Sequence, residues 1–304
     1  MSKKIKPFLK WAGGKTQLLP VITEKLPDNI DMLTRYVEPF LGAGAVFFSL
    51  AKENHFDEYI INDINVKLIN LYRTIRDNVE ELIIELTNIR EEYMALNDLE
   101  AKGEYFYTMR EEFNTTGTLT IRMAALFIFL NKTCFNGLYR ENASGGFNVP
   151  FNKSNNPSIF EEGQLREISK LLNIKNEQGN SKVKILNLSF EELGEYIDNN
   201  TFVYLDPPYR PVTKGGFNSY NKSSFNDEEQ ERLAQFYREM HGKGASLMLS
   251  NSDPKNLDEE DEYFDELYNG FNIMRVNASR MINSDAKARG AITEILVCNY
   301  ETAE

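Results

Sequence analysis

The chain has 304 residues, of which 41% are hydrophobic and 12% aromatic, so it can bury a sizeable core in about two domains. Its 26% of charged residues and its moderate glycine and proline content exclude a collagen-like repeat and wholesale disorder. The longest stretch without a charge, residues 39–51, is too short to cross a bilayer, and the lysine-rich start has no apolar signal region. We therefore expect a cytoplasmic protein without a membrane span.

Cysteine usage and charge narrow the chemistry further. Cys134 and Cys298 stand far apart and near no histidine cluster, so neither a disulfide framework nor a metal site is predicted. A net charge of −12 argues weakly against a protein that coats nucleic acid. Much of that charge lies in the acidic segment 253–266, whereas residues 1–23 and 275–290 are basic. A basic face is compatible with this pattern, and scattered solubilising charge is the alternative.

The first predicted elements form a strand–turn–helix–strand unit. An apolar strand begins at Arg35, a turn follows at Gly42 and Gly44, and the next residues suit a helix. A second apolar strand begins at Glu58 and ends in Asp63. This order is typical of an α/β protein with a parallel sheet.

A helical insertion is predicted next. Residues 66–94 and 104–130 have a helical pattern without a convincing strand. Residues 131–156 then change to Asn, Gly, Ser and Pro with isolated aromatic residues, which indicates a long irregular or hairpin region. Loops of this length are usually functional, so we expect a recognition loop here.

The α/β pattern resumes after the insertion. The predicted strands are 183–186, 201–205 and 245–250, with a helix over 189–197. A capping box at Asn226 and Glu229 opens another helix that runs through Met240, with Gly242 as its stop. Residues 271–276 and 294–300 are expected to close the sheet as an antiparallel pair.

The glycine turn and Asp63 together predict a nucleoside cofactor. Gly42 and Gly44 let a strand end and the next helix approach the polar atoms of a ligand, although an ordinary tight turn would look the same. Asp63 follows about 20 residues later, at a strand end where a carboxylate can accept both ribose hydroxyls. Gly13-Gly14-Lys15-Thr16, by contrast, does not fit a phosphate-binding loop, because Leu9 stands where that motif needs glycine.

The tetrapeptide Asp206-Pro-Pro-Tyr209 is the most specific catalytic signal. It directly follows a buried strand, and its two prolines stiffen the backbone. A stiffly held aromatic ring can stack on a planar base while the carboxylate accepts a hydrogen bond from its exocyclic amine. A turn without function is the alternative.

Six motifs, taken in chain order, resemble those of the Dam-type (class alpha) DNA adenine-N6 methyltransferases, which act at GATC. They are FLKWAGGK at 8–15, EPFLGAG at 38–44, NDIN at 62–65, FNGLYR at 135–140, FNVPF at 147–151 and DPPY at 206–209. SNSD at 250–253, RMINS at 280–284 and AITE at 291–294 extend the resemblance over nearly the whole chain. Motifs and order agree together, so the resemblance is specific.

This resemblance implies a fold and a cofactor. The expected fold class is α/β, a Rossmann-like methyltransferase sheet with helices on both faces, plus a smaller, mostly helical DNA-recognition domain with a hairpin or loop. The catalytic domain would comprise residues 1–70 and 181–304, with the recognition domain inserted at 71–180. The cofactor would be S-adenosyl-L-methionine, bound by Trp11, Lys15, Pro39, Phe40, Gly42, Gly44, Asp63 and Asp206. Lys15 would neutralise an acidic partner, and a purely structural role is the alternative for Trp11.

The resemblance also implies how the reaction proceeds. The lone pair of the adenine amine is delocalised into the ring, so methyl transfer needs hydrogen-bond acceptors that localise it. Asp206 and the carbonyl of Pro207 would accept from the amine, and Tyr209 would stack on a base flipped out of the duplex. The expected catalytic residues are Asp206, Pro207, Pro208 and Tyr209. Neither a metal nor a covalent intermediate is required.

Recognition of double-stranded DNA is assigned by the same resemblance. The residues implied to contact DNA are Phe135, Asn136, Leu138, Arg140, Asn148 and Pro150. Arg140 suits a bidentate contact to O6 and N7 of guanine, with a phosphate contact as the alternative. Phe135, Asn136 and Leu138 would enter or approach the base stack, and Pro150 would pack near a thymine methyl. The expected target is the adenine of GATC.

Two other functions share part of this pattern. A methyltransferase for RNA or for a protein glutamine uses the same geometry, but the glutamine enzymes usually have Asn at the position of Asp206 and need no loop at 136–140. A catalytically silent DNA-binding or regulatory protein is the second, and the intact acidic residues count against it. We expect a functional monomer, and pairing with a restriction endonuclease, action alone or a phage origin stay open.

Overall fold

A computed structural model describes residues 6–210, 225–278 and 292–302. The chain divides into two compact units. The first unit comprises residues 1–16, 42–53 and 63–187, and the second comprises 17–41, 54–62 and 188–304. The domain boundaries expected from the sequence, at 70/71 and 180/181, stay a prediction.

Seven strands form one mixed sheet. The strands are β1 (Arg35–Glu38), β2 (Glu58–Asn62), β3 (Val183–Leu186), β4 (Thr201–Leu205), β5 (Ser246–Ser252), β6 (Asn272–Ala278) and β7 (Ile292–Cys298). Their order in the sheet is β3-β2-β1-β4-β5-β7-β6. β1 pairs in parallel with β2 and β4, and β4 pairs in parallel with β5. β7 runs antiparallel to both β5 and β6, so the expected closing pair is confirmed.

The centre of the sheet is covered on both faces. All five residues of β4 are buried, including neighbours in sequence whose side chains point to opposite faces. A strand that is apolar throughout has this environment in α/β proteins. The predicted fold class, a methyltransferase-like α/β sheet, is therefore confirmed.

Nine α-helices occur in the described part of the chain. They are α1 (Leu19–Glu24), α2 (Ala45–Glu53), α3 (Val66–Asp77), α4 (Val79–Ala95), α5 (Leu99–Thr115), α6 (Ile121–Thr133), α7 (Glu162–Leu172), α8 (Asp227–Gly242) and α9 (Tyr263–Leu267). Every residue from Met123 to Asn131 of α6 is buried, and α6 packs against α3, α4 and α5. This helix is the core of the first unit.

Several element boundaries differ from the sequence prediction. The helical stretch 66–94 is two helices separated at Asn78, which has a non-helical backbone (φ −138°). The stretch 104–130 is likewise interrupted, between α5 and α6, around Gly117. The helix expected at 189–197 is a 3₁₀ segment at Glu191–Tyr196. Helix α7 was not predicted, although its buried residues include Leu165, Ile168 and Leu172, which have helical spacing.

The region 131–156 has little regular structure, as its composition predicted. Two isolated antiparallel bridges, Cys134–Phe151 and Glu141–Phe147, give it a hairpin-like course. Phe147, Val149 and Phe151 are buried. Because side chains alternate along an extended chain, the residues between them lie on the opposite side of it. Among the described helices, none is long and apolar enough to span a membrane.

Candidate active site

Three neighbouring strands end at one edge of the sheet. β1, β2 and β4 are mutually parallel around β1, so their carboxyl ends face the same way. Ligands in open α/β sheets bind beyond this edge. The sequence-predicted residues Pro39, Asp63 and Asp206 each follow the last residue of one of these strands.

In the first unit, the turn at Gly42 and Gly44 strongly favours glycine at both positions. Gly42 and Gly44 have φ values of +48° and +72°, in the left-handed region that side chains disfavour. A Cβ atom at Gly42 would lie 2.8 Å from Nε1 of Trp11, and one at Gly44 would lie 2.9 Å from the hydroxyl of Tyr72. The Tyr72 hydroxyl also donates to the carbonyl of Gly42 at 3.0 Å. The turn is therefore held closely by aromatic side chains.

The carboxylate of Asp63 is tied to this turn. Oδ2 accepts from the backbone N–H of Gly42 at 3.0 Å, and Oδ1 accepts from that of Asn65 at 2.9 Å. Burial raises the pKa of Asp63, and these two backbone donors oppose the rise. Each carboxylate oxygen has two lone pairs, so each can accept one further hydrogen bond from a ligand hydroxyl. The observed geometry suits the ribose role predicted for Asp63.

Trp11 lies in an aromatic stack of the first unit. Its ring is 5.4 Å from that of Tyr139 at an interplanar angle of 19°, and Tyr139 stacks on Phe127 at 4.8 Å. The Tyr139 hydroxyl donates to Glu141 at 2.5 Å, and burial together with that carboxylate raises the pKa of Tyr139. Trp11 is half-buried, so part of its surface is available. Tyr139 was missing from the predicted set, although it lies inside the FNGLYR motif.

Lys15 is buried, with 3% of its surface exposed. Its ammonium group donates to the carbonyl of Gly13 at 2.5 Å. A buried ammonium group is stable only with such oxygen partners. The acidic partner predicted for Lys15 stays a prediction.

Asn62 holds the segment after β1 in the second unit. Its amide nitrogen donates to the carbonyls of Pro39 at 2.9 Å and Leu188 at 3.0 Å, and its Oδ1 accepts from the N–H of Leu188 at 2.8 Å. The ring of Phe40 lies 5.6 Å from that of Phe190 and 5.7 Å from that of Phe225. Asn62 was not among the predicted site residues, although it begins the NDIN motif.

The Asp206 carboxylate is held by a neighbouring strand. Oδ1 of Asp206 accepts from the hydroxyl of Ser250 at 3.2 Å, and that hydroxyl is 3.0 Å from the hydroxyl of Tyr204. Ser250 and Tyr204 are fully buried. Burial and the negative charge of Asp206 raise the pKa of Tyr204 well above its ordinary value, so its hydroxyl keeps its proton. The catalytic carboxylate predicted from sequence is therefore oriented by a buried hydroxyl pair.

Tyr209 is held at its hydroxyl. That group donates to Oε2 of Glu294 on β7, and burial with the charges of Asp206 and Glu294 raises its pKa well above the usual value. The carbonyl of Pro208 accepts from Nε2 of Gln230 at 3.2 Å. No donor contacts the carbonyl of Pro207 within residues 6–210, 225–278 and 292–302, so this carbonyl can accept from a ligand amine.

The loop at 135–138 presents apolar side chains to solvent. Phe135 is 51% exposed and Leu138 is 41% exposed, so both side chains lie on the surface. Asn136 has a left-handed backbone with φ +56°, and a Cβ at Gly137 would lie 2.1 Å from Cδ of Lys10. Buried Asn131 locks the loop, because its amide donates to the carbonyls of Lys10 at 2.8 Å and Gly137 at 3.0 Å.

Two of the predicted DNA-contacting residues, Arg140 and Asn148, form a hydrogen bond with each other. Nε of Arg140 donates to Oδ1 of Asn148 at 2.7 Å, and Arg140 is exposed. In the described ranges its two terminal nitrogens have no partner, so they can form the paired donors that guanine requires. The carbonyl of Pro150 accepts from the N–H of Phe135 at 2.8 Å, which joins the loop to the exposed Pro150.

The predicted residues fall into two described groups. The first unit contains Trp11, Lys15, Gly42, Gly44, Asp63 and the six DNA-contacting candidates, and the second contains Pro39, Phe40 and Asp206–Tyr209. RMINS at 280–284 lies outside the described residues, as do Ala291 and most of the basic stretch 275–290. In the part of the chain that is described, no group of three or more His, Cys, Asp or Glu residues could hold a metal ion.

Comparisons with known proteins agree on one family. The family described as D12 class N6 adenine-specific DNA methyltransferase matches residues 11–282. A type II methyltransferase of Methanocaldococcus jannaschii, M.MjaIII, is 47% identical over 98% of this chain and 100% of its own length. The type II methyltransferase M1.LlaDCHI of Lactococcus lactis is 36% identical over 97% and 96% of the two chains. A DNA adenine methylase of Haemophilus influenzae is 33% identical over 96% and 93%.

Proposed function

This chain belongs to the D12 class of N6 adenine-specific DNA methyltransferases, and from that premise we propose that it methylates the adenine of GATC with S-adenosyl-L-methionine as donor. The substrate is double-stranded DNA, and the target base is flipped out of the helix, because a stacked adenine cannot present its amine to the donor. The enzyme acts in the cytoplasm as a monomer.

The arrangement of Asp206 carries this proposal. Its carboxylate is oriented by Ser250 at 3.2 Å, while the carbonyl of Pro207 makes no contact with a donor in the described residues. Two acceptors on adjacent residues can bind both hydrogens of an amino group. They localise the nitrogen lone pair and direct it for in-line attack, and such positioning is a large part of the catalysis of group transfer. Tyr209 stacks on the flipped ring.

The cofactor residues fit a nucleoside with a charged tail. The carboxylate of Asp63 can accept hydrogen bonds from two ribose hydroxyls. Gly42 and Gly44 have no side chains, so the backbone of their turn stays open to a ligand. In the first unit, Trp11 supplies apolar surface and buried Lys15 supplies a positive charge. In the second unit, Pro39 and Phe40 supply apolar surface. When bound, S-adenosyl-L-methionine supplies an electrophilic methyl group on a sulfonium. The chain's own residues orient the amine and exclude water.

The recognition residues support a readout of GATC in the major groove. The exposed Phe135 and Leu138, with Asn136 between them, are suited to fill the space left by a flipped base. Arg140, held by Asn148, reads a guanine through O6 and N7, and Pro150 contacts a thymine methyl. Residues 71–180 would form the DNA-recognition domain.

Transfer of labelled methyl groups to duplex DNA tests the proposal. Oligonucleotide duplexes with GATC, and matched duplexes with the same composition but no GATC, are incubated with labelled S-adenosyl-L-methionine. We expect label on the N6 of adenine in GATC only, and loss of label with Asp206→Ala. Label on adenines in another sequence would overturn the GATC assignment. Label on RNA or protein but on no DNA would overturn the proposal that DNA is the substrate.

A further inference from the structure

Two side-chain amides are fully buried beside the tetrapeptide 206–209. Gln230 on α8 and Asn251 on β5 are both 0% exposed. Burying an amide without hydrogen-bond partners costs free energy, so such groups persist in a core only where their partners are provided. A leucine would fill the same space at position 230 without that requirement. The partners of these amides therefore explain why they are there.

The two amides bridge the backbone groups on either side of Tyr209. Nε2 of Gln230 donates to the carbonyl of Pro208 at 3.2 Å, and its Oε1 accepts from Nδ2 of Asn251 at 3.2 Å. Oδ1 of Asn251 in turn accepts from the N–H of Arg210 at 3.3 Å. The bridge thus connects the carbonyl before Tyr209 with the N–H after it. All four groups belong to the second unit.

We propose that Gln230, acting with Asn251, is a positioning residue that sets the plane of the Tyr209 ring. This inference rests on the proposed stacking of Tyr209 on the target adenine. The proline ring fixes φ of Pro208 but leaves ψ free to rotate, and rotation about ψ swings the following residue. Anchoring the Pro208 carbonyl and the Arg210 N–H removes that freedom. Gln230 itself does not touch the base.

A pair of matched variants on one helix tests this role. Gln230→Leu removes the donor to Pro208, and Gln235→Leu makes the same change at an exposed position of α8. We expect Gln230→Leu to lower kcat about 10- to 100-fold, the loss that displacement of a reacting group by about 1 Å produces. KM for S-adenosyl-L-methionine is expected to stay at its original value, and Gln235→Leu is expected to behave as the unmodified enzyme. Equal kcat values for the two variants would overturn the inference.

A double-mutant cycle separates positioning from a general loss of structure. In a Tyr209→Ala background there is no ring to position, so Gln230→Leu is expected to lower kcat no further. An equal loss in both backgrounds would mean that Gln230 supports the fold rather than Tyr209, and would refute the role. Gln230→Met, which is close to glutamine in size and shape but has no donor to Pro208, replaces Gln230→Leu if that variant does not fold. Failure of the unmodified enzyme to methylate any DNA would instead overturn the proposed function.

Discussion

The turn beneath the proposed cofactor site gives a prediction whose size can be worked out from the structure. Gly42 has φ +48°, and a Cβ there would lie 2.8 Å from Nε1 and 2.9 Å from Cδ1 of Trp11. Gly42→Ala therefore meets two separate penalties. One is the left-handed backbone, and the other is a clash with an aromatic ring that is itself stacked on Tyr139.

The two penalties can be separated with a matched glycine. A left-handed backbone costs a residue with a Cβ about 1–2 kcal/mol. Forcing the packed indole to move adds about 1–3 kcal/mol, the usual cost of overpacking. Gly42→Ala is therefore expected to lose about 2–5 kcal/mol of unfolding free energy. Gly179 has φ +82° and no atom within 4 Å of its Cβ position, so Gly179→Ala should show only the backbone part.

Urea unfolding of the two variants measures this difference, with an unchanged m value as evidence that the unfolding reaction is the same. Calorimetric titration with S-adenosyl-L-methionine then tests the link to function. The N–H of Gly42 donates to Asp63 at 3.0 Å, so a displaced turn moves the proposed ribose acceptor. We expect Gly42→Ala to weaken binding at least about tenfold, which corresponds to about 1.4 kcal/mol, while Gly179→Ala binds normally. Equal stability losses in the two variants would refute the close approach of Trp11.

Three further predictions concern charge, the catalytic ring and recognition. A hydrogen bond from Arg122 lowers the pKa of Glu112. The contribution of this hydrogen bond to stability is therefore present above the unfolded pKa of Glu112, and it is lost as the pH falls through the lower folded pKa. Glu112→Gln should therefore be about 0.5–1 kcal/mol less stable at pH 7, with the difference shrinking as the pH is lowered below the ordinary range of a glutamate, and a constant difference would contradict the assignment. Tyr209→Phe and Glu294→Leu remove the two ends of one hydrogen bond, so their effects on kcat should not add in the double variant, and additive losses would show that Glu294 acts elsewhere. Arg140→Ala should reduce discrimination at one guanine of the site by about 1–3 kcal/mol in competition methylation assays, whereas a uniform loss on all sequences would indicate a phosphate contact.

Local patterns predicted most of the sheet, whereas most of the candidate site residues were implied by the family resemblance. The strands at 35–38, 58–62, 183–186 and 201–205 are short apolar runs with clear ends. Such runs can be recognised without knowing how the rest of the chain folds. The helical insertion was harder, because the predicted helices were extended across Asn78 and Gly117, where the helices of the structure are interrupted. Helix breaks of this kind depend on tertiary packing, which single-sequence patterns do not contain.

The residues that hold the candidate site in place could not be predicted from the sequence, for a different reason. Asn62, Gln230 and Asn251 act on backbone groups that are distant in the chain, as Asn62 does with Leu188 at 3.0 Å. In the sequence, Gln230 is one polar residue among many on a charged helix, and its complete burial is visible only in the fold. A buried amide has no sequence signature until the backbone group that it satisfies is known.

This dependence explains how a tetrapeptide with two prolines can be both rigid and reactive. Proline removes two N–H donors and fixes two φ angles, but it leaves every carbonyl and both ψ angles to be fixed by other groups. Ser250 binds the Asp206 carboxylate and Gln230 binds the Pro208 carbonyl, both from buried positions. Of the carbonyls of the two prolines, that of Pro207 accepts from no donor in the described residues, and the proposed function assigns it to the substrate amine. The prolines reduce the number of conformations, and under the proposed function the buried polar side chains select the one in which Asp206 and Pro207 accept from the same amino group.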